Sequence, residues 1–180
     1  MKNIINFLTF SRIFISPVLF ILIAYFNFFG WALIIIIFAS ISDYLDGYLA
    51  RKYNLTSVLG EILDPIADKI LIAFCLIGLT IALESLLIGL LTGTILTREL
   101  WVSALRDMNA RAGNEHATKV TFLAKTKTTL QMISISFYLF ALFVNKALLI
   151  FTSDLILLLA AIVTIKTGIS YTMASFRNLH

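Results

Sequence analysis

Apolar residues run almost without interruption through six stretches of about 20 residues, separated by short polar or charged segments. A helix that crosses the hydrocarbon core of a bilayer needs about 20 such residues, so each stretch predicts one membrane-spanning helix. The six predicted spans are Phe10–Phe29, Trp31–Arg51, Leu63–Leu83, Ser85–Leu105, Phe122–Val144 and Asp154–Phe176. Met1–Arg12 mixes polar and apolar residues and predicts a short interfacial helix leading into the first span.

Composition supports this pattern. The chain is 60% hydrophobic and 13% charged, whereas about a quarter of the residues of a soluble domain are charged. We therefore expect an all-α polytopic membrane protein in which residues 1–180 form a single transmembrane domain. The cysteine at position 75 lies inside an apolar stretch and is expected to serve packing.

The basic residues predict the orientation of the chain in the membrane. With a cytoplasmic N-terminus, six spans place both termini inside, and the outer turns keep only Lys146 as a cation. The inner ends then carry Lys2, Arg12, Arg51, Lys52, Arg106, Arg111, Lys119, Lys125, Lys127 and Arg177. The net charge of +4 is thus interpreted as orientation in the inner membrane and attraction to anionic head groups, not as nucleic-acid binding.

Aspartates within two of the predicted spans form two stripes. A helix places one set of residues on a single face of the second span, namely Asp43, Asp46, Gly47 and Ala50. The same periodicity groups Gly60, Asp64 and Asp68 on the third span. The polar segment Lys52–Ser57 joins the two helices, so both stripes are expected near the cytoplasmic surface and able to face each other.

Four aspartates at membrane depth need a physical explanation. One such residue costs about 2.5–3.5 kcal/mol on insertion scales, so four facing lipid would cost on the order of 10 kcal/mol, comparable to the stability of a whole protein. They must face a wet cavity or a cation. Oxygen-only ligands suit a hard cation, and two Mg²⁺ or Mn²⁺ ions about 4 Å apart would suit phosphoryl transfer.

Simpler explanations exist for single members of this set. Gly47 and Gly60 could serve only close helix packing, and Asp64-Pro65 could be an N-cap followed by a first-turn proline. Neither explanation accounts for all the aspartates, both glycines, Ala50 and Arg51 together.

The segment from Asp43 to Asp68 resembles the signature of the CDP-alcohol phosphotransferase family, D-x-x-D-G-x-x-A-R-x8-G-x-x-x-D-x-x-x-D, at every fixed position. The resemblance implies a six-helix fold, an active site at the cytoplasmic face and a homodimer. It also implies that Asp43, Asp46 and Asp64 hold the metal pair, and that Asp68 joins this site and acts as base on the acceptor hydroxyl. By the same resemblance, the CDP moiety is bordered by Gly47, Ala50, Arg51 and Gly60.

Within the family, the chain is most similar to members that transfer a phosphatidyl group from CDP-diacylglycerol to glycerol 3-phosphate. The similarity is carried by Asn3-Ile4-Ile5-Asn6, Thr9, Arg12, Leu59–Lys69, Arg98-Glu99, Arg106, Lys125–Thr128 and Gln131-Met132. Two positions depart from it, because Ile5 replaces a common proline and Ala124 a common glycine. Other acceptors stay open at this point: inositol phosphate, phosphatidylglycerol (giving cardiolipin) or serine.

Cations predict where a phosphorylated acceptor would bind. Arg98 and Arg106 are eight residues apart, about 80° around a helix, and so project to a similar side. With Lys125 and Lys127 they form the expected acceptor-phosphate site, since arginine holds phosphate bidentately. The alternative is that these residues only anchor the inner face. Glu99 is expected to face away from Arg98 and to pair with another buried cation.

Two further expectations complete the sequence-based picture. Tyrosines such as Tyr25 and Tyr171 are expected to face lipid or the interface, and Lys69 and Lys166 to neutralise acids or reach the interface. The rival class of function is a small cation-coupled transporter, but transporters commonly contain repeats and broken helices. This chain has no visible repeat and only two prolines. A purely structural membrane protein would not explain the aspartates.

Overall fold

The computed structural model describes the backbone of residues 2–52, 58–114 and 122–177, and the side chains of 10–42, 52, 63–114 and 126–177. These residues form six α-helices, which confirms the all-α class. The helices are α1 (Lys2–Ala24), α2 (Phe29–Lys52), α3 (Val58–Ala82), α4 (Leu86–Arg111), α5 (Phe122–Phe143) and α6 (Ala147–Arg177).

Length and apolar composition mark part of this fold as able to cross a membrane. Within the described residues, three helical segments are long and apolar enough to span a bilayer: Leu63–Ala82, Leu86–Arg111 and Ala147–Arg177. Phe10–Ala24 and Phe29–Ser42 are shorter apolar helical segments. The predicted interfacial segment Met1–Arg12 is not a separate helix, since residues 2–12 belong to the continuous helix α1.

Three helix ends share one capping motif. Glu84, Gly113 and Asn145 each adopt a positive φ, at 48°, 70° and 52°, and each follows the end of a helix. At the end of α3, the Ser85 amide donates to the Thr80 carbonyl at 3.3 Å and the Glu84 amide donates to the Ile81 carbonyl at 3.2 Å. This Schellman arrangement satisfies carbonyls that the helix leaves unpaired. It lets short turns reverse the chain between α3 and α4 and between α5 and α6.

The core lies toward one end of the helix bundle. We call the end with the short turns α1–α2, α3–α4 and α5–α6 the turn end, and the opposite end, where α2 and α4 finish, the loop end. The larger apolar cluster draws on all six helices in their half nearer the turn end, and includes Leu19, Ile36, Leu76, Ile95, Tyr138 and Leu157. Cys75 is fully buried in it, as expected of a packing residue.

Helix α1 packs mainly on α3, and α6 packs on both α5 and α4. Most buried charged and polar side chains lie at mid-helix or nearer the loop end, among them Arg12, Arg98, Asn109, Lys127 and Thr167, while four smaller hydroxyl side chains are buried nearer the turn end. The apolar half therefore holds the bundle together while the polar half is free to carry chemistry.

Candidate active site

Two carboxylates of the acidic motif lie next to a buried arginine. Asp64 and Asp68 are one turn apart on α3 and point to the same side. The guanidinium of Arg12, on α1, donates from Nη1 to Asp68 Oδ1 at 2.6 Å and from Nη2 to Asp64 Oδ1 at 3.3 Å. Arg12 is only 4% exposed. A buried charge of this kind requires counter-charges, so the sequence-based view of Arg12 as a simple anchor is incomplete.

The helical position of this pair excludes one explanation for it. Asp64-Pro65 could have been a helix N-cap and first-turn proline, but α3 begins at Val58. Both residues therefore lie inside the helix. Because a proline inside a helix removes a backbone hydrogen bond, Asp64-Pro65 is not explained by capping and needs another role.

The rest of the predicted metal and CDP site lies outside the described side chains. This holds for Asp43, Asp46, Gly47, Ala50 and Arg51 on α2 and for Gly60 on α3. Lys125 of the predicted acceptor-phosphate site, on α5, also lies outside the described side chains.

Among the described residues, no group of three or more acidic, histidine or cysteine side chains is assembled to hold a metal ion. Asp64 and Asp68 nevertheless share a single cation, since one guanidinium reaches both. Their oxygen-only chemistry fits Mg²⁺ or Mn²⁺.

The predicted cations on α4 meet over one aromatic ring. Tyr171, on α6, has the Cζ of Arg98 at 5.8 Å from its ring centroid and the Cζ of Arg106 at 5.7 Å. The two arginines therefore converge, as their spacing predicts. Tyr171 is only 4% exposed, so the expectation that it faces lipid or the interface is wrong. Tyr25, in contrast, is strongly exposed.

Both arginines keep an unused donor. Arg98 donates from Nη2 to Thr167 Oγ1 at 2.6 Å and from Nη1 to Glu99 Oε1 at 2.9 Å. The Nε atoms of Arg98 and Arg106 are buried, and neither has a hydrogen-bond partner among the described residues. A buried donor without a partner is costly. The ring of Tyr171 thus lies against two cations that retain capacity for an anion.

Glu99 forms ion pairs with cations from three helices. It accepts a hydrogen bond from Arg98 on α4 and another from Lys127 on α5, and Lys69 Nζ on α3 lies 3.8 Å from its Oε2. The expectation of a buried cationic partner is confirmed by Lys127. The expectation that Glu99 faces away from Arg98 is wrong, because the flexible Arg98 side chain folds back to its neighbour.

Helix α3 connects the carboxylate pair with the cations. Asp68 contacts Arg12 on α1, whereas the next residue, Lys69, donates to Ser103 Oγ on α4 at 2.8 Å. The two groups of charged residues therefore meet at consecutive residues of α3, on neighbouring faces of one helix turn. An acidic site and a cationic site side by side suit a reaction between a metal-bound phosphate ester and a second anionic substrate.

Comparisons with known proteins identify the family. The model of the CDP-alcohol phosphatidyltransferase family matches residues 2–168. The chain belongs to this family. A Rickettsia bellii protein named CDP-diacylglycerol–glycerol-3-phosphate 3-phosphatidyltransferase is 41% identical over 179 residues, covering 96% of this chain and 95% of the relative.

Two further relatives carry the same name. The Rickettsia typhi protein is 38% identical over 177 residues, covering 97% of each chain. The Salmonella choleraesuis protein is 35% identical over 141 residues, covering 76% of each. The resemblance of the acidic motif to the family is thereby confirmed, and the transporter and purely structural alternatives are set aside.

Some contacts of this CDP-alcohol phosphatidyltransferase join residues far apart in the chain and could not be predicted from the sequence. Arg12 is 52 and 56 residues from its two partners, and Thr167 is 69 residues from Arg98. No periodicity within one helix can report such contacts. The available signal for Arg12 was its place within an apolar stretch, since an arginine there is expensive and normally has a partner.

Proposed function

We propose that this chain transfers the phosphatidyl group of CDP-diacylglycerol to glycerol 3-phosphate, releasing CMP and forming phosphatidylglycerophosphate. Membership of the CDP-alcohol phosphatidyltransferase family supports the reaction class. The names of relatives at 35–41% identity support the acceptor. The structural observation that carries the acceptor assignment is the convergence of Arg98 and Arg106 on the ring of Tyr171. Each arginine has a buried Nε without a hydrogen-bond partner among the described residues.

The acceptor phosphate belongs with these cations. Arg98 and Arg106 supply N–H donors beside each other, and Lys127 reaches the same cluster through Glu99. Lys125, two residues earlier on α5, is the fourth cation of the proposed site. A phosphate dianion would satisfy the unpaired donors, whereas the hydroxyls of a neutral acceptor would leave their charge unopposed.

The nucleotide end of CDP-diacylglycerol belongs with the acidic motif. Asp43, Asp46, Asp64 and Asp68 would hold two Mg²⁺ or Mn²⁺ ions, and the CDP moiety would be bordered by Gly47, Ala50, Arg51 and Gly60. When bound, the metal ions would offset the negative charge of the pyrophosphate. Asp64 and Asp68 are suited to this role because they already share a cation, Arg12.

Asp68 is the proposed base. Its carboxylate takes the proton of the acceptor hydroxyl, and the hydroxyl oxygen forms a bond to the β-phosphorus of CDP-diacylglycerol. The bond from that phosphorus to the bridging oxygen breaks, and CMP leaves with the oxygen. Positioning and charge compensation supply most of the acceleration in such a transfer. Lys69, the residue after Asp68, extends toward Glu99, so the proposed base directly precedes a residue of the cation cluster in the chain.

We propose that the enzyme lies in the inner membrane with six spans, cytoplasmic termini and its active site at the cytoplasmic face. The basic residues near the loop end support this orientation. We also propose a homodimer, supported by family resemblance, which cross-linking in native membranes would test.

Purified protein in mixed micelles with CDP-diacylglycerol and Mg²⁺ tests the function. Release of CMP should depend on glycerol 3-phosphate, and the lipid product should carry a terminal phosphate. Parallel reactions with inositol phosphate, phosphatidylglycerol and serine compare the acceptor classes. CMP release supported by one of these and not by glycerol 3-phosphate would overturn the acceptor assignment while leaving the reaction class intact.

A further inference from the structure

Glu99 occupies an unusual position for an acid beside a proposed phosphate site. Its side chain is 14% exposed, and its carboxylate faces cations from three helices. Oε1 accepts from Arg98 Nη1 at 2.9 Å and from Lys127 Nζ. Oε2 lies 3.8 Å from Lys69 Nζ. One carboxylate thus contacts a cation of α3, one of α4 and one of α5.

Electrostatics makes this acid necessary to the arrangement. Lys69, Arg98, Arg106 and Lys127 are four like charges in one polar region, with Arg98 and Lys127 buried, and they repel each other over short distances. Flexible lysine and arginine side chains would separate to reduce this repulsion. A single carboxylate between them holds Arg98 and Lys127 on one oxygen while leaving the cluster a surplus of positive charge.

We propose that Glu99 is a positioning residue for the acceptor site: it fixes Arg98 and Lys127 in the arrangement that recognises a phosphorylated acceptor. The inference rests on the proposed function, because it assumes that the cation cluster binds the acceptor phosphate. Glu99 itself does not contact the phosphate, which its own charge would repel. It acts through the two cations that it holds.

A positioning role and a competing role for Glu99 predict opposite changes in the KM for glycerol 3-phosphate. If Glu99 only competed with the phosphate, Glu99→Gln would increase the local positive potential and lower the KM for glycerol 3-phosphate. If Glu99 positions the cations, the same change releases Lys127 and Arg98, and the KM rises. The sign of the change in KM therefore separates the two roles.

The experiment measures CMP release while each substrate is varied. In Glu99→Gln, the KM for glycerol 3-phosphate should rise about 10-fold or more, the effect of losing one charged hydrogen bond. The KM for CDP-diacylglycerol should change by less than about twofold, well below the effect of one such bond. The matched control is Glu84→Gln, an exposed acid in the α3–α4 turn, which should leave both constants unchanged.

Two further variants define the mechanism. If Glu99 acts through Lys127, the double variant Glu99→Gln/Lys127→Met should be no worse for the acceptor KM than the more severe single variant. Glu99→Asp keeps the charge but withdraws it by one methylene, and should give a smaller rise in the acceptor KM. If Glu99→Gln does not fold, Glu99→Asp alone decides, since an unchanged acceptor KM would contradict positioning.

The result that overturns the inference is an acceptor KM in Glu99→Gln that is unchanged or lowered, or a rise of equal size in both KM values. Failure of the proposed function is a different result, because the wild-type enzyme would then release no CMP in response to glycerol 3-phosphate. Calorimetric titration of glycerol 3-phosphate into wild-type, Glu99→Gln and Glu84→Gln protein provides a readout independent of turnover. The weakening should appear only in Glu99→Gln.

Discussion

Arg12 lies in the middle of α1, and its guanidinium contacts two carboxylates of α3. The arginine is buried, while the side chains of Asp64 and Asp68 are 42% and 36% exposed. The two ion pairs of Arg12 are thus neither surface ion pairs, which contribute little to stability, nor fully buried ones. We interpret Arg12 as the cation that opposes these two carboxylates when no metal ion does so.

The first prediction concerns the Arg12→Gln variant. In EDTA it should be less stable than wild type by about 1–3 kcal/mol, because two carboxylates lose a charged partner. Mg²⁺ should raise its unfolding temperature more than it raises that of wild type, since a ligand stabilises the folded state that binds it better. Thermal unfolding in detergent measures both effects. Lys166→Gln, an exposed cation on α6, is the control, and an equal Mg²⁺ response in both variants and wild type would contradict the interpretation.

The second prediction concerns the metal ions. EDTA should abolish CMP release, and added Mg²⁺ or Mn²⁺ should restore it, because an all-carboxylate site binds hard cations. Single changes of Asp43, Asp46 or Asp64 to Asn should each lower turnover by about two orders of magnitude or more while leaving the protein folded. Full activity in excess chelator would refute the metal-dependent mechanism.

Arg106 allows a cleaner test of the acceptor site than Arg98 does. Arg98 also bonds Thr167 and Glu99, so its loss disturbs packing between α4 and α6. The third prediction is that Arg106→Ala raises the KM for glycerol 3-phosphate about 10- to 150-fold, the effect of losing a charged hydrogen bond of about 1.5–3 kcal/mol. The KM for CDP-diacylglycerol should change much less. Lys146→Ala, in the α5–α6 turn, is the control, and equal increases in both KM values would assign Arg106 a structural role.

At the scale of elements, the contact between α4 and α6 depends on a glycine. A Cβ added at Gly168 would lie 3.0 Å from Arg98 Cγ and 3.4 Å from Arg98 Nε. Arg98 cannot withdraw easily, because its guanidinium is bonded to Thr167, the residue before Gly168 on α6. The absence of a side chain at Gly168 thus lets the arginine stem lie flat on α6.

The fourth prediction uses this contact. Gly168→Ala should displace Arg98, lower the unfolding temperature and raise the acceptor KM, with a stability loss of about 1–3 kcal/mol from overpacking. Gly93→Ala is the matched control, because Gly93 lines an open groove between α4 and α6 and an added Cβ would meet nothing within 4 Å. Loss of stability in Gly93→Ala and not in Gly168→Ala would contradict the close contact between Gly168 and Arg98.

The six helices could be predicted from the sequence because apolar stretches of this length have few alternatives. Each predicted span corresponds to one observed helix, although α1, α3 and α6 begin five or more residues before their predicted spans. The sequence also predicts that Arg98 and Arg106 project to a similar side of α4, since this follows from periodicity within one helix.

Contacts between helices were not predictable in this way. The pairing of Glu99 with Lys127 joins α4 to α5, and the burial of Tyr171 results from the packing of α6 on α4. Both depend on how each helix is rotated about its axis, and chain composition does not determine that rotation. For this reason the sequence predicts that Tyr171, an amphipathic residue in an apolar stretch, faces lipid or the interface, although its ring lies against two arginines.

At the scale of the whole molecule, polar and apolar functions occupy different ends of the bundle. The apolar core lies toward the turn end, and the charged residues of the candidate site lie toward the loop end. A membrane enzyme whose second substrate is a water-soluble phosphate needs its site near one aqueous face. The positions of the basic residues favour the cytoplasmic face for the loop end.

The last prediction tests this orientation by cysteine labelling in intact cells on a Cys75→Ser background. Ala112, exposed at the end of α4, marks the loop end, and Lys146, exposed in the α5–α6 turn, marks the turn end. Lys146 is a better site than Asn145, whose φ of 52° disfavours a cysteine there.

Lys146→Cys should react with a membrane-impermeant maleimide in intact cells, whereas Ala112→Cys should react only after the membrane is opened. Ala112 lies at the loop end and Lys146 at the turn end, and α4, whose 26 residues run between these ends, is roughly 40 Å long by helix rise. A single orientation therefore cannot expose both positions on one side of the membrane. Labelling of both from outside would refute the six-span arrangement. If Ala112→Cys reacts in intact cells and Lys146→Cys reacts only after the membrane is opened, the six spans stand but the orientation is inverted. The acceptor site would then lie on the side away from cytoplasmic glycerol 3-phosphate.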